Sequence, residues 1–425
     1  MLARSREGRT VVTTSETPRG RAIRCTWKHN PSILAPPKYQ RACGYDAFVP
    51  YPLADLELTN DAPTTSILSS AELLIRQLNQ VAGAELSAFA RLLLRSEAVA
   101  SSRIEGMFVD ARRLARAEAR RGAGRRIGRE AGEIIANIDA MHRAVSEVAD
   151  ADRVSLESLL AIHTELLERT PYRRIAGVIR EEQNWIGGNN YNPCGADFVP
   201  PPPEHVNALL QDLCDFIESE RLPPLAQAAI THAQFETIHP FLDGNGRTGR
   251  ALIHVILRRR GLASRYLPPI SVRLSQQRDS YVAGLIAYRE GRIDDWLGIF
   301  AAAAIDATML AINYRQQITR LMGHWREMLR EAVNPRADAA AWALIDVLPG
   351  HPVLTTRAAI ESTTRSERSV RDGVADLEYA GVLKRITTSK RYHAWETYGL
   401  LELVTALEDG EVPQDLDDLD SNADL

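Results

Sequence analysis

The sequence predicts a mainly α-helical protein with a β-hairpin near its middle and a winged helix-turn-helix domain towards its C-terminus. Three observations lead to this fold class. Apolar residues recur at intervals of three and four through most of 69–330, which is the period of a helix. The run 177–206 breaks this period with strand-like residues, a Gly-Gly-Asn-Asn turn and a polyproline exit. The segment 339–398 shows three short helical patterns and a second hairpin.

The amino-acid composition excludes few classes of function. A chain of 425 residues is long enough for two or three domains, and a formal net charge of −4 gives no overall nucleic-acid or membrane signature. No apolar run approaches the roughly 18 residues that span a bilayer, and no secretory leader is evident, so we expect no membrane segment. The four cysteines have neither CxxC nor regular disulfide spacing. We therefore expect a reducing, cytoplasmic location.

The first 130 residues divide into two predicted regions. Residues 1–60 mix basic residues with Pro, Gly and Thr and are predicted to be irregular, with 45–58 as a docking segment. Residues 61–130 are predicted to be helical. An arginine-rich stretch within them is interpreted as a solvated helix face and loop rather than a binding patch. Its arginines are Arg112, Arg113, Arg116, Arg120, Arg121, Arg125, Arg126 and Arg129.

The rest of the chain is predicted to hold three further regions. A helical core covers 131–330, a winged helix-turn-helix covers 335–400, and an acidic, disordered tail covers 401–425. In the predicted winged helix-turn-helix, Thr364–Glu367 is interpreted as a capping box that begins a helix, and Gly381 ends that helix.

One short stretch, His239–Arg250, carries the residue types of a phosphate-handling site. Its alternating glycines, Gly244 and Gly246, free the backbone to turn N–H groups towards an anion at a helix N-terminus. The following helix carries Arg247 and Arg250 one turn apart, so both guanidiniums can face one ligand. Three further side chains have matching chemistry: Asp243 as an oxygen ligand for Mg²⁺, Asn245 as an amide donor, and His239 as a general base near neutral pH.

Other interpretations of this stretch fit less well. Gly244, Gly246 and Gly249 satisfy the dinucleotide fingerprint G-x-G-x-x-G, but the preceding residues are helical and no acidic residue follows about 20 positions on. A zinc site built on His232 and His239 lacks a third ligand nearby. The parts together indicate transfer of a phosphorus group from a magnesium nucleotide to a hydroxyl.

His239 to Arg247 matches H-P-F-x-D/E-G-N-G-R, and the stretch resembles the signature of the Fic family. The resemblance implies a helical Fic core with a β-hairpin flap, and AMP transfer from ATP to Ser, Thr or Tyr hydroxyls of a protein. It also implies roles within the loop. His239 deprotonates the target hydroxyl and Asp243 holds Mg²⁺. The residues that contact the nucleotide phosphates are Gly244, Asn245, Gly246, Arg247 and Arg250, while Phe241 anchors the loop. The related Doc kinases have Lys at the position of Gly246, so this glycine favours nucleotidyl transfer.

A second motif, Ser101–Gly106, resembles the family's inhibitory sequence [S/T]-x-x-x-E-[G/N]. The resemblance implies that Glu105 pairs with Arg250 and so displaces the γ-phosphate of ATP. By the same resemblance the run 177–206 is a flap along which an extended protein target binds. Tyr281 and Gln234 are weaker nucleotide-binding candidates, and self-association into a homodimer is a further expectation.

Two alternatives to the AMP transferase stay open from the sequence. The chain contains eight Lys or Arg against five Asp or Glu between His351 and Tyr392, so the C-terminal domain could bind DNA, with the helical core as a ligand sensor. Alternatively, Glu105 positions water and the enzyme removes AMP from its target.

Overall fold

The computed structural model describes residues 18–29, 31, 34–54, 56, 58–80, 87–387 and 393–411. The expected turn of the second predicted hairpin, at 388–389 within 339–398, lies outside these residues, as does most of the predicted acidic tail. By their internal contacts the residues form two compact units. Unit 1 contains 1–72, 143–260 and 279–302, and unit 2 contains 73–142, 261–278 and 303–425. These units do not follow the predicted domain boundaries, because each is assembled from separate stretches of chain.

Helices dominate the described chain, as predicted. The α-helices are α1 (Ala62–Gln80), α2 (Ser87–Ile104), α3 (Ala111–Gly122), α4 (Arg129–Arg143), α5 (Leu156–Leu167), α6 (Pro203–Ile217), α7 (Pro224–Ile238), α8 (Asn245–Arg259), α9 (Ile270–Gln276), α10 (Arg278–Arg289), α11 (Ile293–Ala332), α12 (Ala340–Val347), α13 (Thr356–Thr363), α14 (Glu367–Tyr379) and α15 (Leu400–Glu408). A π-helical turn follows α4 at Ala144–Val148, and 3-10 turns occur at Pro37–Tyr39, Arg173–Ile175 and Leu348–Gly350. The strands are β1 (Gly20–Trp27), β2 (Cys43–Pro50), β3 (Val353–Thr355), β4 (Leu383–Arg385) and β5 (Ala394–Thr397).

In unit 1, β1 and β2 form an antiparallel hairpin, with Gly20 opposite Pro50 and Trp27 opposite Cys43. The prediction that residues 1–60 are irregular was therefore wrong for this part. Half-buried Ile23, Cys25 and Trp27 alternate with exposed Arg24 and Thr26, which is the period of a strand, but this run is short and lies in a region rich in basic residues, Pro, Gly and Thr. A bundle of α5, α6, α7 and α8 supplies the rest of the unit, and Trp296 packs into it, where its Nε1 donates to the carbonyl of Ala229 at 2.9 Å.

The predicted flap, 177–206, is mostly irregular rather than a regular hairpin. Its only bridge among the described residues joins Ile186 and Phe198. The segment gains support from β2 instead, because the N–H of Phe48 donates to the carbonyl of Val199 at 2.9 Å. Aromatic pairs also join the hairpin region to the flap: Trp27–Trp185, Tyr39–Tyr191 and Phe48–Phe198.

A disulfide between Cys43 and Cys194 links β2 to the same flap. The sequence spacing gave no indication of this pair, because 151 residues separate the two cysteines. Cys25 and Cys214 are free thiols. Disulfides are typical of oxidising compartments, so the pair does not favour the predicted cytoplasmic location, which stays a prediction.

In unit 2, α2 lies at the centre, and α9, α12 and α15 pack against it. The core here is continuous from α2 through α11 to the C-terminal segment. Its members include Phe89, Tyr266, Tyr314, Trp325, Leu344, Leu377 and Leu403. The polar atoms of two large side chains in this core donate hydrogen bonds to backbone carbonyls. Nε1 of Trp325 donates to Tyr398, and the hydroxyl of Tyr314 donates to Leu403.

The C-terminal segment contains the predicted short helices, α12 to α14, together with a small antiparallel sheet in the order β3-β5-β4. The winged-helix assignment itself stays a prediction. The predicted capping box was wrong in detail: Thr364 ends α13 with φ 53°, and Ser366 caps α14 by accepting from the N–H of Ser369. The predicted tail also starts too early, because α15 occupies 400–408 with five buried aliphatic residues.

The arginine-rich stretch is only partly a solvated face. Arg112 and Arg116 on α3 form ion pairs with Glu396 on β5, and Arg112 also pairs with Glu402 on α15. All of these residues belong to unit 2. Two arginines of α3 thus help to hold the C-terminal segment, a role that the charge pattern alone did not indicate.

Helix α11 is the one described segment that is long and apolar enough to cross a membrane by length and composition. Its most apolar window has a mean hydropathy of 1.5, and 56% of that window is buried in the fold. The prediction that no apolar run approaches the length of a bilayer was wrong for α11. The same length and composition are found in buried core helices, and burial of half the window is consistent with that role.

Candidate active site

The candidate loop begins where α7 ends. His239 follows the last helical residue and adopts the left-handed conformation, with φ 49° and ψ 62°. This conformation is uncommon for a residue with a side chain and concentrates at functional sites. Its N–H still donates to the carbonyl of Phe235 at 2.9 Å, so His239 closes the helix and redirects the chain. The ring is about one-fifth exposed, and its Nδ1 lies 3.9 Å from a carboxylate oxygen of Glu236.

The loop is locked internally by Asn245. The Oδ1 atom of Asn245 accepts from the N–H of Phe241 at 2.8 Å, and its Nδ2 donates to the carbonyl of the same residue at 2.8 Å. The predicted role of this amide as a donor for an anion stays a prediction. A buried amide needs partners for both of its polar atoms, and the backbone of Phe241 supplies them.

Phe241 anchors the loop in the core of unit 1, as predicted. Its side chain is fully buried. The ring stacks on the imidazole of His163, with a centroid separation of 3.7 Å and an interplanar angle of 4°. Because α5 carries His163, this stacking fixes the loop against a second helix.

His163 also makes two hydrogen bonds that the sequence did not reveal. Its Nδ1 accepts from the N–H of Gly177 at 3.0 Å, so its Nε2 carries the proton and donates to the carbonyl of Asp243 at 2.9 Å. Burial lowers the pKa of His163 to about 4, which keeps the ring neutral at pH 7. One histidine therefore joins the start of the flap to the acidic residue of the loop.

The N-terminus of α8 provides an anion-binding end. The helix begins at Asn245, so the N–H groups of Asn245, Gly246 and Arg247 have no intrahelical acceptor. The helix dipole adds partial positive charge at the same place. Gly244 precedes the helix with φ 80°, and a Cβ atom there would lie 3.0 Å from Leu166. The turn therefore requires glycine at this position.

Two buried arginines follow on the same helix, as predicted from their spacing. Arg247 and Arg250 lie on α8 within the first two turns, and their exposed fractions are only 4% and 1%. Arg247 Nη2 lies 3.5 Å from an oxygen of Asp243. Charged groups that are buried this deeply interact strongly with an anion, because little water screens them.

Asp243 is the single carboxylate on the loop. Its side chain is 41% exposed, and its Oδ1 accepts from the N–H of Gly244 at 2.6 Å. Among the described residues there is no group of three or more His, Cys, Asp or Glu side chains that could hold a metal by itself. A lone, accessible carboxylate beside a phosphate site fits Mg²⁺, which takes its other ligands from phosphate oxygens and water.

Arg180 and Asn184 connect the flap to the loop, and neither role was predicted. Arg180 is buried; its Nε donates to the carbonyl of His239 at 2.8 Å and its Nη2 to that of Pro201 at 2.6 Å. Burial lowers the pKa of Arg180 to about 10, and the group still carries its charge at pH 7. Asn184 Nδ2 donates to the carbonyls of His239 and Phe241. The left-handed turn at His239 is thus held from the flap side.

The two weaker nucleotide-binding candidates, Tyr281 and Gln234, form hydrogen bonds within the protein. Tyr281 is buried, and its hydroxyl lies 2.7 Å from Nε2 of His232. Gln234 donates to the carbonyl of Tyr51 at 3.0 Å and accepts from the hydroxyl of Tyr288 at 2.8 Å. Their surroundings therefore do not favour nucleotide contact, and both roles stay predictions.

The second motif lies at the end of α2, in unit 2. The helix ends at Ile104, and Gly106 follows with φ 81°. The N–H of Gly106 donates to the carbonyl of Arg103 at 2.9 Å, and that of Met107 to Ser102 at 3.1 Å. This is a glycine-terminated helix end, which explains why the motif needs a glycine after the glutamate. Glu105 is exposed, and Ser101 is fully buried.

Comparison with known families agrees with the loop geometry. Residues 153–257 match the model of the Fic/DOC family, and residues 66–146 match the model of the Fic/DOC family N-terminal domain. The chain therefore contains a Fic domain and a Fic N-terminal domain. The loop with the candidate site falls in the Fic domain, and the Ser101–Gly106 motif falls in the Fic N-terminal domain.

This chain matches only part of the length of its named relatives. The chain is 33% identical over 137 residues to the protein adenylyltransferase fic-1 of Caenorhabditis elegans, across 32% of this chain and 25% of that protein. It is 30% identical over 175 residues to the protein adenylyltransferase Fic of Drosophila willistoni, across 40% of this chain and 32% of that protein. The chain thus spans about a quarter to a third of the curated relatives it matches.

A solved Fic family protein from Desulfovibrio desulfuricans G20 has a related fold. Its crystal structure superposes with a TM-score of 0.51 at 22% identity, over 80% of this chain and 97% of that chain. At this level of identity the likeness concerns the fold.

Proposed function

We propose that this Fic protein transfers AMP from ATP to a hydroxyl group of a protein, and that Glu105 restrains the reaction. The observation that carries the proposal is the loop at 239–250. His239 lies at the end of α7 with a left-handed backbone conformation. The single carboxylate of the loop, Asp243, and the N-terminus of α8 follow within six residues. The names of the relatives, protein adenylyltransferases, support the same chemistry.

The N-terminus of α8 would receive the phosphates of ATP. The N–H groups of its first turn and the guanidiniums of Arg247 and Arg250 supply the positive charge that a polyphosphate requires. Asp243 would hold Mg²⁺, which neutralises charge on the phosphate oxygens and on the leaving pyrophosphate. The choice of ATP over other nucleotides rests on the family resemblance.

His239 would act as the general base. It takes the proton of the target hydroxyl while the hydroxyl oxygen bonds to the α-phosphorus, and the bond from that phosphorus to the bridging oxygen breaks to release pyrophosphate. The carboxylate of Glu236, 3.9 Å from Nδ1, stabilises the positive charge that the ring gains. The hydrogen bonds from Arg180 and Asn184 to the carbonyl of His239 hold the backbone that carries the ring during this step.

The protein target would bind along the flap, as an extended segment. The flap is suited to this because only one bridge occupies its backbone, between Ile186 and Phe198. Arg180, Asn184 and the disulfide between Cys194 and Cys43 fix the flap to the rest of unit 1. A bound segment would therefore be aligned against a rigid part of the protein.

The test is labelling of the purified chain with ATP that carries the isotope on its α-phosphate. We expect weak labelling of the wild type and strong labelling of Glu105→Gly, with a loss of about 10²–10⁴ in rate when His239→Ala is added. Glu220→Gly, which removes an exposed glutamate from the turn before α7, is the matched control and should behave as wild type. Equal labelling of all four proteins would refute the proposal.

The same experiment separates the alternatives. ATP labelled on the γ-phosphate should give no product, whereas a kinase would transfer that label. An enzyme that removes AMP would release it from pre-labelled protein when supplied with Mg²⁺ and no ATP. The structure adds little support for DNA binding by the C-terminal segment. Helix α14 exposes Glu367, Asp372 and Glu378, whose negative charges would repel phosphates, and Arg371 is paired with Glu367.

A further inference from the structure

The last described helix, α15, contacts the helix that carries the Ser101–Gly106 motif. Glu408 ends α15, and its side chain is completely buried between two arginines of α2. Arg95 donates to one carboxylate oxygen of Glu408, and Arg103 Nη2 lies 3.3 Å from the other. All three residues belong to unit 2.

Arg103 is itself part of the motif, two residues before Glu105. Its Nη1 donates to the backbone carbonyl of Glu408 at 2.8 Å and to Oδ1 of Asp409 at 2.7 Å. The carbonyl groups at a helix C-terminus carry partial negative charge, so a guanidinium is a favourable partner there. Arg103 therefore holds the end of α15 through backbone and side-chain atoms at once.

The charges around this contact are nearly balanced. Arg95 also pairs with Glu118 of α3 at 3.0 Å, so two guanidiniums face the carboxylates of Glu118, Glu408 and Asp409. When one partner of a buried ion pair is removed, the other is left without compensation for its desolvation. The contact is therefore sensitive to the loss of Glu408 in a way that an exposed pair is not.

The remainder of α2 is fixed independently of α15. Asn137 Nδ2 donates to the carbonyl of Ala98 at 2.7 Å and to the hydroxyl of Ser102 at 3.1 Å. Glu97 accepts from the N–H and the hydroxyl of Ser271. These bonds hold α2 from Glu97 to Ser102, so a change at α15 acts mainly on the residues that follow, Arg103 to Glu105.

We propose that Glu408 is a positioning residue for the inhibitory motif. Through Arg95 and Arg103 it sets the last turn of α2, and so the place of Glu105. A molecule that binds the C-terminal segment and moves α15 would thereby raise AMP transfer. This inference rests on the proposed inhibitory role of Glu105, and its test includes a measurement that does not depend on that role.

The experiment compares Glu408→Gln with Glu402→Gln. Both glutamates lie on α15 and pair with an arginine, but Glu402 pairs with Arg112 of α3 rather than with an arginine of α2. Each change is made in the full chain and again with Glu105→Gly. We expect Glu408→Gln to raise labelling at least about fivefold, the lower end of usual coupling between sites. Glu402→Gln removes a more exposed ion pair that does not reach α2, so it should change labelling far less, and Glu408→Gln should add nothing to Glu105→Gly.

Hydrogen exchange provides the measurement that needs no activity. The N–H groups of Glu105, Gly106 and Met107 bond within the last turn of α2, and we expect Glu408→Gln to speed their exchange relative to Glu402→Gln. If Glu105→Gly fails to activate but this exchange changes, the proposed inhibition is wrong and the positioning is right. Unchanged exchange, or a rise in labelling that persists with Glu105→Gly, overturns the inference.

A milder variant covers the case in which Glu408→Gln does not fold. Asp409→Asn removes only the outer, half-exposed partner of Arg103 and leaves the buried carboxylate in place. We expect it to give a smaller rise in labelling and a smaller change in exchange at the same N–H groups. No change in either measurement with Asp409→Asn, in a folded protein, also overturns the inference.

Discussion

The Nε2 atom of His163 lies 2.9 Å from the carbonyl oxygen of Asp243, so a histidine on another helix fixes the acidic residue of the loop. The opposite ring nitrogen accepts from the N–H of Gly177, where the flap begins. The imidazole plane stacks on Phe241. The site thus depends on one neutral ring that joins loop and flap through both of its nitrogens.

Replacement of His163 should separate stacking from hydrogen bonding. His163→Phe keeps a flat ring against Phe241 but loses both hydrogen bonds, whereas His163→Gln keeps a donor that can reach Asp243. We expect the Phe variant to lower the rate of labelling by about 10–100-fold, the usual cost of losing a group that supports a metal ligand, which is the role proposed for Asp243. The Gln variant should recover part of this loss.

The measurement is the initial rate of labelling at varied Mg²⁺, with Glu105→Gly present in every protein so that the rate is high. A requirement for more Mg²⁺ in the Phe variant would show that Asp243 has lost its position. If Phe and Gln variants were equal to the parent at all Mg²⁺ concentrations, the hydrogen bond to Asp243 would have no part in the reaction.

The loop itself could be predicted because all of its parts lie within one short, continuous stretch, His239–Arg250. The helix start at Asn245, the glycine turn and the arginine pair follow from local rules of sequence. The residues that support the loop could not be predicted in this way. His163 and Arg180 reach it across 80 and 59 positions of sequence, respectively, and neither stands in a recognisable pattern.

The fold was predictable to a similar extent. Long amphipathic helices gave clear periodicity, whereas the alternation in β1 covers only the five residues from Ile23 to Trp27 and lies in a region rich in basic residues, Pro and Gly. The predicted start of the acidic tail was wrong for a different reason. Leu400, Leu403, Val404 and Leu407 have helical spacing, yet the acidic composition of residues 409–425 outweighed it. Glu408 is buried only because Arg95 and Arg103 come from elsewhere in the chain.

Stability should fall as the pH drops below neutrality, in part because of His232. Burial, reinforced by the charge of Arg250, lowers the pKa of His232 to about 3. The unfolded chain binds a proton near pH 6.5 and the folded chain does not, so stability is complete above that pH and is lost as the pH falls towards 3. The slope from one such group is at most about 1.4 kcal/mol per pH unit.

Urea unfolding at pH 7, 6 and 5 would measure this contribution. We expect His232→Gln, which cannot titrate, to be less stable than wild type at pH 7 because it repacks beside Tyr281. Its stability should nevertheless fall less steeply between pH 6 and 5. Parallel slopes for the two proteins would mean that His232 does not titrate with unfolding in this range.

Reduction should destabilise unit 1 through the Cys43–Cys194 pair. A disulfide that closes a long loop limits the freedom of the unfolded chain, and removal of such a bond typically costs about 2–5 kcal/mol. We expect a reductant to lower the thermal midpoint of the wild type but not that of Cys43→Ser/Cys194→Ser. Cys25→Ser, which removes a free thiol from β1, is the control and should keep the sensitivity to reductant.

Gly249 should tolerate no side chain, although it lies inside a helix. A Cβ atom there would lie 2.9 Å from Oε1 of Glu236 and 2.9 Å from the ring of Phe235, so α8 packs directly on α7 at this point. Alanine in a helix normally stabilises relative to glycine by roughly 0.5–1 kcal/mol. Here the overpacking should outweigh that gain and destabilise the protein by about 1–3 kcal/mol.

Gly298 provides the matched control, because it lies within α11 and a Cβ atom there would meet nothing within 4 Å. We expect Gly298→Ala to raise the free energy of unfolding and Gly249→Ala to lower it, both measured by urea denaturation. Gly249→Ala should also slow labelling, because any shift of α8 from α7 moves Arg250 relative to His239. If both alanine variants were stabilised equally, close packing at Gly249 would not be the reason for a glycine there.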